Sequence, residues 1–168
     1  MRSVPREPAP AVASGSDAAA TYDLEQRIEM FAAGDIAGGL RELRAYVDAN
    51  PRDRDARARI GTAVFDRARE VESKDREQAL TLYETAVTLR GETPAAWGGR
   101  ITALRKTLSS DYYDRAVRTM RTDLPGAIKL LEASVRFDSG NSRAAQRLAE
   151  ARTAQTKLNA IGSGNSGQ

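Results

Sequence analysis

The sequence predicts an all-α protein. Three observations carry that expectation. Apolar residues recur at steps of three and four through most of the chain. Short links rich in Gly, Pro, Asn and Asp separate these periodic segments. Few windows alternate with period two or concentrate Val, Ile and Thr. Apolar residues are 40% of the 168 but aromatics only 5%. Ala and Leu therefore carry most of the core, and helices can approach closely. This length favours one domain with tails.

Residues 1–19 contain Pro5, Pro8 and Pro10 and almost no large apolar side chain, so an extended tether is expected. A helix follows over 20–33, with Leu24, Ile28 and Phe31 on one face and Gly34 as its stop. Asp35 caps a second helix over 36–49, with Leu40, Leu43 and Val47 inward. The link is so short that the two form an antiparallel hairpin. Asn50-Pro51 ends it.

Asp53 caps a helix over 54–72 carrying Ile60, Val64 and Ala68, with Phe65 and Val71 beside them. Its Arg-rich start, RDRDARAR, alternates with Asp and reads as a solvated surface; no aromatics interleave as base stacking would want. Ser73 or Asp75 caps a helix over 76–89, Asp75 making a capping box with Gln78, with Leu80, Tyr83, Ala86 and Val87 inward and Gly91 as its stop.

The segment 93–121 reads as one helix, with Thr93 as N-cap and Pro94 in its first position. Trp97, Ile101, Leu104, Leu108, Tyr112, Ala116 and Met120 are expected to form one in-phase apolar stripe. Its length would be about 40 Å. A break at Ser109–Asp111 with Ser110 as a new cap is the alternative. Asp123 and Pro125 open a helix over 124–137, with Ala127, Ile128, Leu131 and Val135 inward. Asn141 or Ser142 caps a last helix over 143–160, with Leu148, Ala151, Leu158 and Ile161 inward. Residues 162–168, GSGNSGQ, read as a flexible tail.

Three segments align with one another: GDIAGGLRELRAYVDANP, KDREQALTLYETAVTLRG and TDLPGAIKLLEASVRFDS. Each has an acidic cap, then a small residue (Gly39, Ala79, Ala127). A large apolar residue follows four positions on (Leu43, Tyr83, Leu131), and a turn eight after that (Pro51, Gly91, Ser139). The pattern resembles the second helix of a tetratricopeptide repeat. Trp97 and Gly61 fall at the family's favoured aromatic and small positions in first helices, and Tyr112 and Ala116 fit the same two places.

The resemblance covers about residues 20–160 and implies an α-solenoid of about three TPR-like antiparallel hairpins with a C-terminal capping helix. It also implies a concave groove lined by first helices. Its positions here would be Leu24, Ile28 and Phe31, then Ala58, Thr62 and Phe65, then Thr102, Arg105 and Lys106. That is an apolar floor with a basic end, suited to a peptide or helix with an acidic flank. The implied function is a non-catalytic protein-interaction scaffold, such as an assembly factor of a bacterial envelope or secretion system. The chaperone-tail clamp of some such repeats uses Lys and Asn in the groove. Ala58, Thr62, Gly98 and Thr102 stand in those places, which disfavours that role.

Composition excludes much chemistry. There is no Cys and no His, so thiol nucleophiles, disulfides, Cys/His zinc sites and His bases are absent. The neighbours Asp111, Tyr112, Tyr113 and Asp114 point to different sides of a helix and do not converge. No cofactor or metal is expected. The net charge is +3. Residues 20–93 carry 12 Lys and Arg against 15 Asp and Glu, and residues 94–160 carry 12 against 6. The basic second half makes nucleic acid or an anionic surface the alternative partner.

No run of about 18 apolar residues predicts a transmembrane helix. The Pro/Ala-rich leader resembles the stretch behind the lipidated Cys of bacterial lipoproteins. The expected location is periplasmic or outer-membrane-associated if a signal was removed, and cytoplasmic otherwise. Any membrane contact would run through such a lipid anchor.

Overall fold

The computed structural model describes residues 15–164. It holds α1 (Gly15–Ala33), α2 (Ile36–Ala49), α3 (Arg54–Glu72), α4 (Arg76–Arg90), α5 (Ala95–Thr119), α6 (Leu124–Phe137) and α7 (Ser142–Gly164), with no strand among the described residues.

Aspartates start the helices. Asp35 accepts the N–H groups of Ala37 and Gly38, at 3.0 and 2.8 Å. Asp53 accepts Ala56 N–H at 2.9 Å, Asp75 accepts Gln78 N–H at 2.9 Å and Asp123 accepts Gly126 N–H at 2.8 Å. Each cap is worth about 1 kcal/mol. Asn141 caps α7 through Ala144 N–H at 3.1 Å. Thr93 does not cap α5. Pro94 takes the cap position with no side-chain bond, and its carbonyl accepts the N–H groups of Trp97 and Gly98. Helix α1 begins five residues ahead of its expected start, and α7 runs on to Gly164. The remainder of the expected tether (1–14) and of the tail (165–168) lies outside the described residues.

Specific contacts set the helix directions. Arg27 pairs with Glu42 at 2.7 Å, and a Cβ on Gly39 would lie 2.8 Å from the Phe31 ring, so α2 folds back along α1. Arg57 Nε donates to the Leu89 carbonyl at 3.0 Å and Tyr83 donates to Glu72 at 2.7 Å, so α4 runs back along α3. Arg76–Asp111 and Arg105–Glu84 make α5 antiparallel to α4. Phe65 stacks on Trp97 and Glu72 pairs with Arg100, which makes α5 parallel to α3. Asn141 donates to Ser109 and Arg143 lies over Tyr113, which makes α7 parallel to α5. Arg59–Glu25 ties α3 to α1.

The apolar residues form two cores. The larger joins α1 to α5 around Phe31, Leu43, Ile60, Val64, Leu82 and Tyr83. The smaller joins α5, α6 and α7 around Ala116, Leu131 and Ala151, with Met120, Leu124, Ile128 and Leu148 against it.

Helix α5 serves both cores, is unbroken at Ser109–Asp111, and corrects the single in-phase stripe. Four residues advance a helix about 40° beyond a full turn. From Leu104 to Met120 the stripe takes four such steps and drifts about 160°. Trp97, Ile101, Leu104 and Leu108 thus join the first core, while Ala116 and Met120 join the second.

The aligned repeat positions behave alike. Ala79, Ala127, Leu43, Tyr83 and Leu131 are fully buried, and Gly39 and Gly61 mark close helix approaches. Leu158 and Ile161, expected inward, are 57% and 72% exposed. Counted from the Ser109–Asn141 contact, α5 ends opposite about residue 151 of α7. Beyond that point α7 has no α5 beside it.

Candidate binding groove

Along α3, Ile60, Val64 and Ala68 turn to the core, which leaves Ala58 half-buried and Thr62 exposed. The Thr62 hydroxyl bonds back to the Ala58 carbonyl at 2.9 Å. Arg90 of α4 reaches the same carbonyl at 3.4 Å and Thr62 Oγ1 at 3.5 Å, with its guanidinium 5.3 Å from the Trp97 ring centre. On the parallel helix α5, Thr102 and Lys106 are exposed, as are Gly99 and Ala103. A Cβ on Gly99 would meet nothing within 4 Å. Lys106 has no ion-pair partner among the described residues.

The other expected groove residues lie elsewhere. Leu24, Phe31 and Phe65 are 2%, 0% and 7% exposed, and Ile28 is half-buried against the same core. They cannot floor a groove, because their apolar surface is what holds the hairpins together. Phe65 sits between Tyr83 and Trp97, with ring centres at 4.6 and 4.1 Å. Arg105 turns toward α4, where its Nη2 and Nε meet Glu84 Oε1 at 2.7 and 3.1 Å. Of the nine expected residues, Ala58, Thr62, Thr102, Arg105 and Lys106 keep accessible surface on α3 and α5, with Arg105 engaged by Glu84.

At the start of α3 lies a cleft of about 710 Å³ that the sequence reading missed. The turns before α3 and after α4 form it, and Arg52, Arg54, Arg57 and Arg90 line it with Asp55 and Glu92. Arg57 closes the end of α4 through the Leu89 carbonyl, and Arg90 pairs with Glu92 at 3.0 Å. Arg52 and Arg54 have no ion-pair partner among the described residues. Ala58 lines this cleft too, so it adjoins Thr62. The only local signal was RDRDARAR. Arg90 arrives from 33 residues beyond Arg57 because α3 and α4 are antiparallel.

No protein-family model matches this chain, and no curated protein matches it.

The remaining polar clusters are braces. Glu72, Tyr83 and Arg100 join α3, α4 and α5, with Arg100 Nε 2.9 Å from the Tyr83 hydroxyl. Burial, then the bond to Glu72, raises the pKa of the Tyr83 phenol. Asp111 pairs with Arg76 at 2.8 Å, Tyr112 donates to Glu77 and Tyr113 lies under Arg143. These groups face different neighbours and make no convergent acid–base pair. Among the described residues no three His, Cys, Asp or Glu side chains are grouped to hold a metal, and no helix is long and apolar enough to cross a membrane.

Proposed function

We propose that the chain is a non-catalytic protein-interaction scaffold of tetratricopeptide-like repeats. In this reading α1/α2, α3/α4 and α5/α6 stack as an α-solenoid that α7 closes. An acidic segment of a partner protein lies along the open side of α3 and α5. The observation that carries it is the run of small, accessible side chains on two parallel helices beside unpaired cations. Ala58, Thr62, Gly99 and Ala103 let a partner backbone come close. Lys106, Arg52 and Arg54 supply positive charge that no described side chain neutralises. An assembly role in a bacterial envelope or secretion system fits such a scaffold.

Capture of partners from the native cell tests this. The double variant Thr62→Glu/Lys106→Glu is expected to lose the partner, while Thr88→Glu on α4 keeps it. Retention of every partner by the double variant would end the groove reading. The excess of cations in residues 94–160 supports a second reading, binding of nucleic acid or an anionic surface. Arg118, Arg121, Lys129 and Lys157 are spread over α5 to α7, so the reading requires a steep salt dependence.

A further inference from the structure

The cleft at the start of α3 holds more positive charge than its own carboxylates cancel. Its charged lining is Arg52, Arg54, Arg57 and Arg90 against Asp55 and Glu92, four against two, a net of +2. Arg90 is paired with Glu92 at 3.0 Å. The excess therefore falls on Arg52, Arg54 and Arg57, with the carboxylate of Asp55 against them. Asp53 does not line the cleft, and its carboxylate accepts the Ala56 N–H of its own helix.

Arg57 is the fixed member of the group. Its Nε donates to the Leu89 carbonyl at 3.0 Å and its Nη1 to the Pro51 carbonyl at 3.5 Å. One guanidinium thus bridges the turn before α3 and the end of α4. Both partners are neutral carbonyls, which orient the group without cancelling its charge. Nη2 has no hydrogen-bond acceptor among the described residues. Gly91 makes this placement possible. Its φ is +81°, and a Cβ there would lie 2.6 Å from Arg57 Nη2. Arg52 and Arg54 line the same cleft, exposed and without ion-pair partners among the described residues.

We propose that this cleft takes the phosphate of a phosphorylated side chain in the partner segment. It rests on the groove reading, whose cationic end it identifies. A phosphomonoester carries about −1.5 to −2 at neutral pH, which meets the excess of +2, and a single carboxylate meets half of it. Guanidinium forks bond phosphate oxygens in pairs. A nucleotide fits less well, because no aromatic ring lines the cleft to stack a base. A free phosphate ion would leave most of the 710 Å³ empty. A phosphorylated side chain brings its own backbone, and Ala58 continues the cleft onto the surface at Thr62.

Amide NMR titrations of the whole chain at constant ionic strength test this. The probes are a capped Gly-Ser-Gly peptide phosphorylated on its Ser, the same peptide with Glu in place of Ser, and inorganic phosphate. The phosphopeptide is expected to give saturating shifts at Arg57, Ala58 and Gly91, and to bind roughly fivefold tighter than either other probe. Its binding should weaken below about pH 6, where the phosphate loses its second charge. Arg52→Ala/Arg54→Ala should abolish saturation and keep the wild-type circular dichroism spectrum, since both side chains are exposed. Arg118→Ala/Arg121→Ala should bind as the wild type does. No saturation by about 10 mM phosphopeptide would overturn the proposal. Equal binding of the Glu peptide would also overturn it, while leaving the acidic-segment groove intact. Tighter binding of inorganic phosphate would reject a phosphorylated side chain in favour of a free ion. If Thr62→Glu/Lys106→Glu kept every partner while the cleft still bound the phosphopeptide, the groove reading alone would fail.

Discussion

Ser109 and Ser134 are fully buried where the first core gives way to the second, and their removal gives a graded prediction. Ser134 donates its one hydroxyl hydrogen to the Ser109 carbonyl at 2.7 Å. The 3.0 Å contact between the two hydroxyls therefore runs from Ser109 to Ser134. Asn141 Nδ2, at the start of α7, donates to Ser109 Oγ at 3.0 Å. Three helices meet at this point.

Ser134→Ala removes the only acceptor of a buried hydroxyl, which costs about 1–3 kcal/mol. Ser109→Ala costs less, about 1 kcal/mol, because half-buried Asn141 can turn to water. The double variant no longer strands one hydroxyl against the other, so its loss should fall short of the sum by at least about 0.5 kcal/mol. Urea unfolding of the four proteins supplies the cycle. The melting point should drop about 2–4 °C for each kcal/mol lost. Effects that are all below about 0.5 kcal/mol and additive would refute the hydrogen-bond assignment and leave α5 without a polar tie to α6 and α7.

Two glycines should respond in opposite directions. A Cβ on Gly61 would lie 2.7 Å from Arg90 Cβ and 3.1 Å from the Ala86 carbonyl, so Gly61→Ala should cost about 1–3 kcal/mol in thermal unfolding. Gly99→Ala meets nothing within 4 Å and should stabilise by about 1 kcal/mol in the same assay. The raised pKa of Tyr83 also makes a prediction. Above about pH 10 the unfolded chain releases the phenolic proton while the folded chain holds it, so stability falls as pH rises. Tyr83→Phe should flatten that alkaline loss, leaving the parts due to Tyr46 and Tyr112, whose pKa values are also raised. An unchanged slope in denaturation measured against pH would reject the Glu72–Tyr83–Arg100 brace.

Much of the helix layout was legible because its signals are local. Asp35, Asp53, Asp75 and Asp123 each bond their own first turn, so a reader of sequence can place those starts. The repeat positions Leu43, Tyr83 and Leu131 are apolar for the same packing reason in each segment, and all three are fully buried. The groove was harder to read. An apolar side chain such as Phe65 is marked as facing a neighbour, but the neighbour is Trp97, 32 residues on, and that contact exists only once α3 and α5 lie side by side. Arg105 looked free because its partner Glu84 is on another helix. The drift of the α5 stripe was present in the spacing. Steps of four look regular along the chain, yet each rotates the face by about 40°. The Arg-lined cleft required the antiparallel pairing of α3 with α4 before Arg57 and Arg90 could meet.

The groove is the central claim, and site-specific photocrosslinking in the native cell tests it most directly. A benzophenone side chain would be placed singly at Thr62, Thr102 and Thr88. Positions 62 and 102 are expected to capture one and the same protein through an acidic segment, and position 88 to capture none of it. Capture of that protein at Thr88, or no shared adduct at Thr62 and Thr102, would contradict the account.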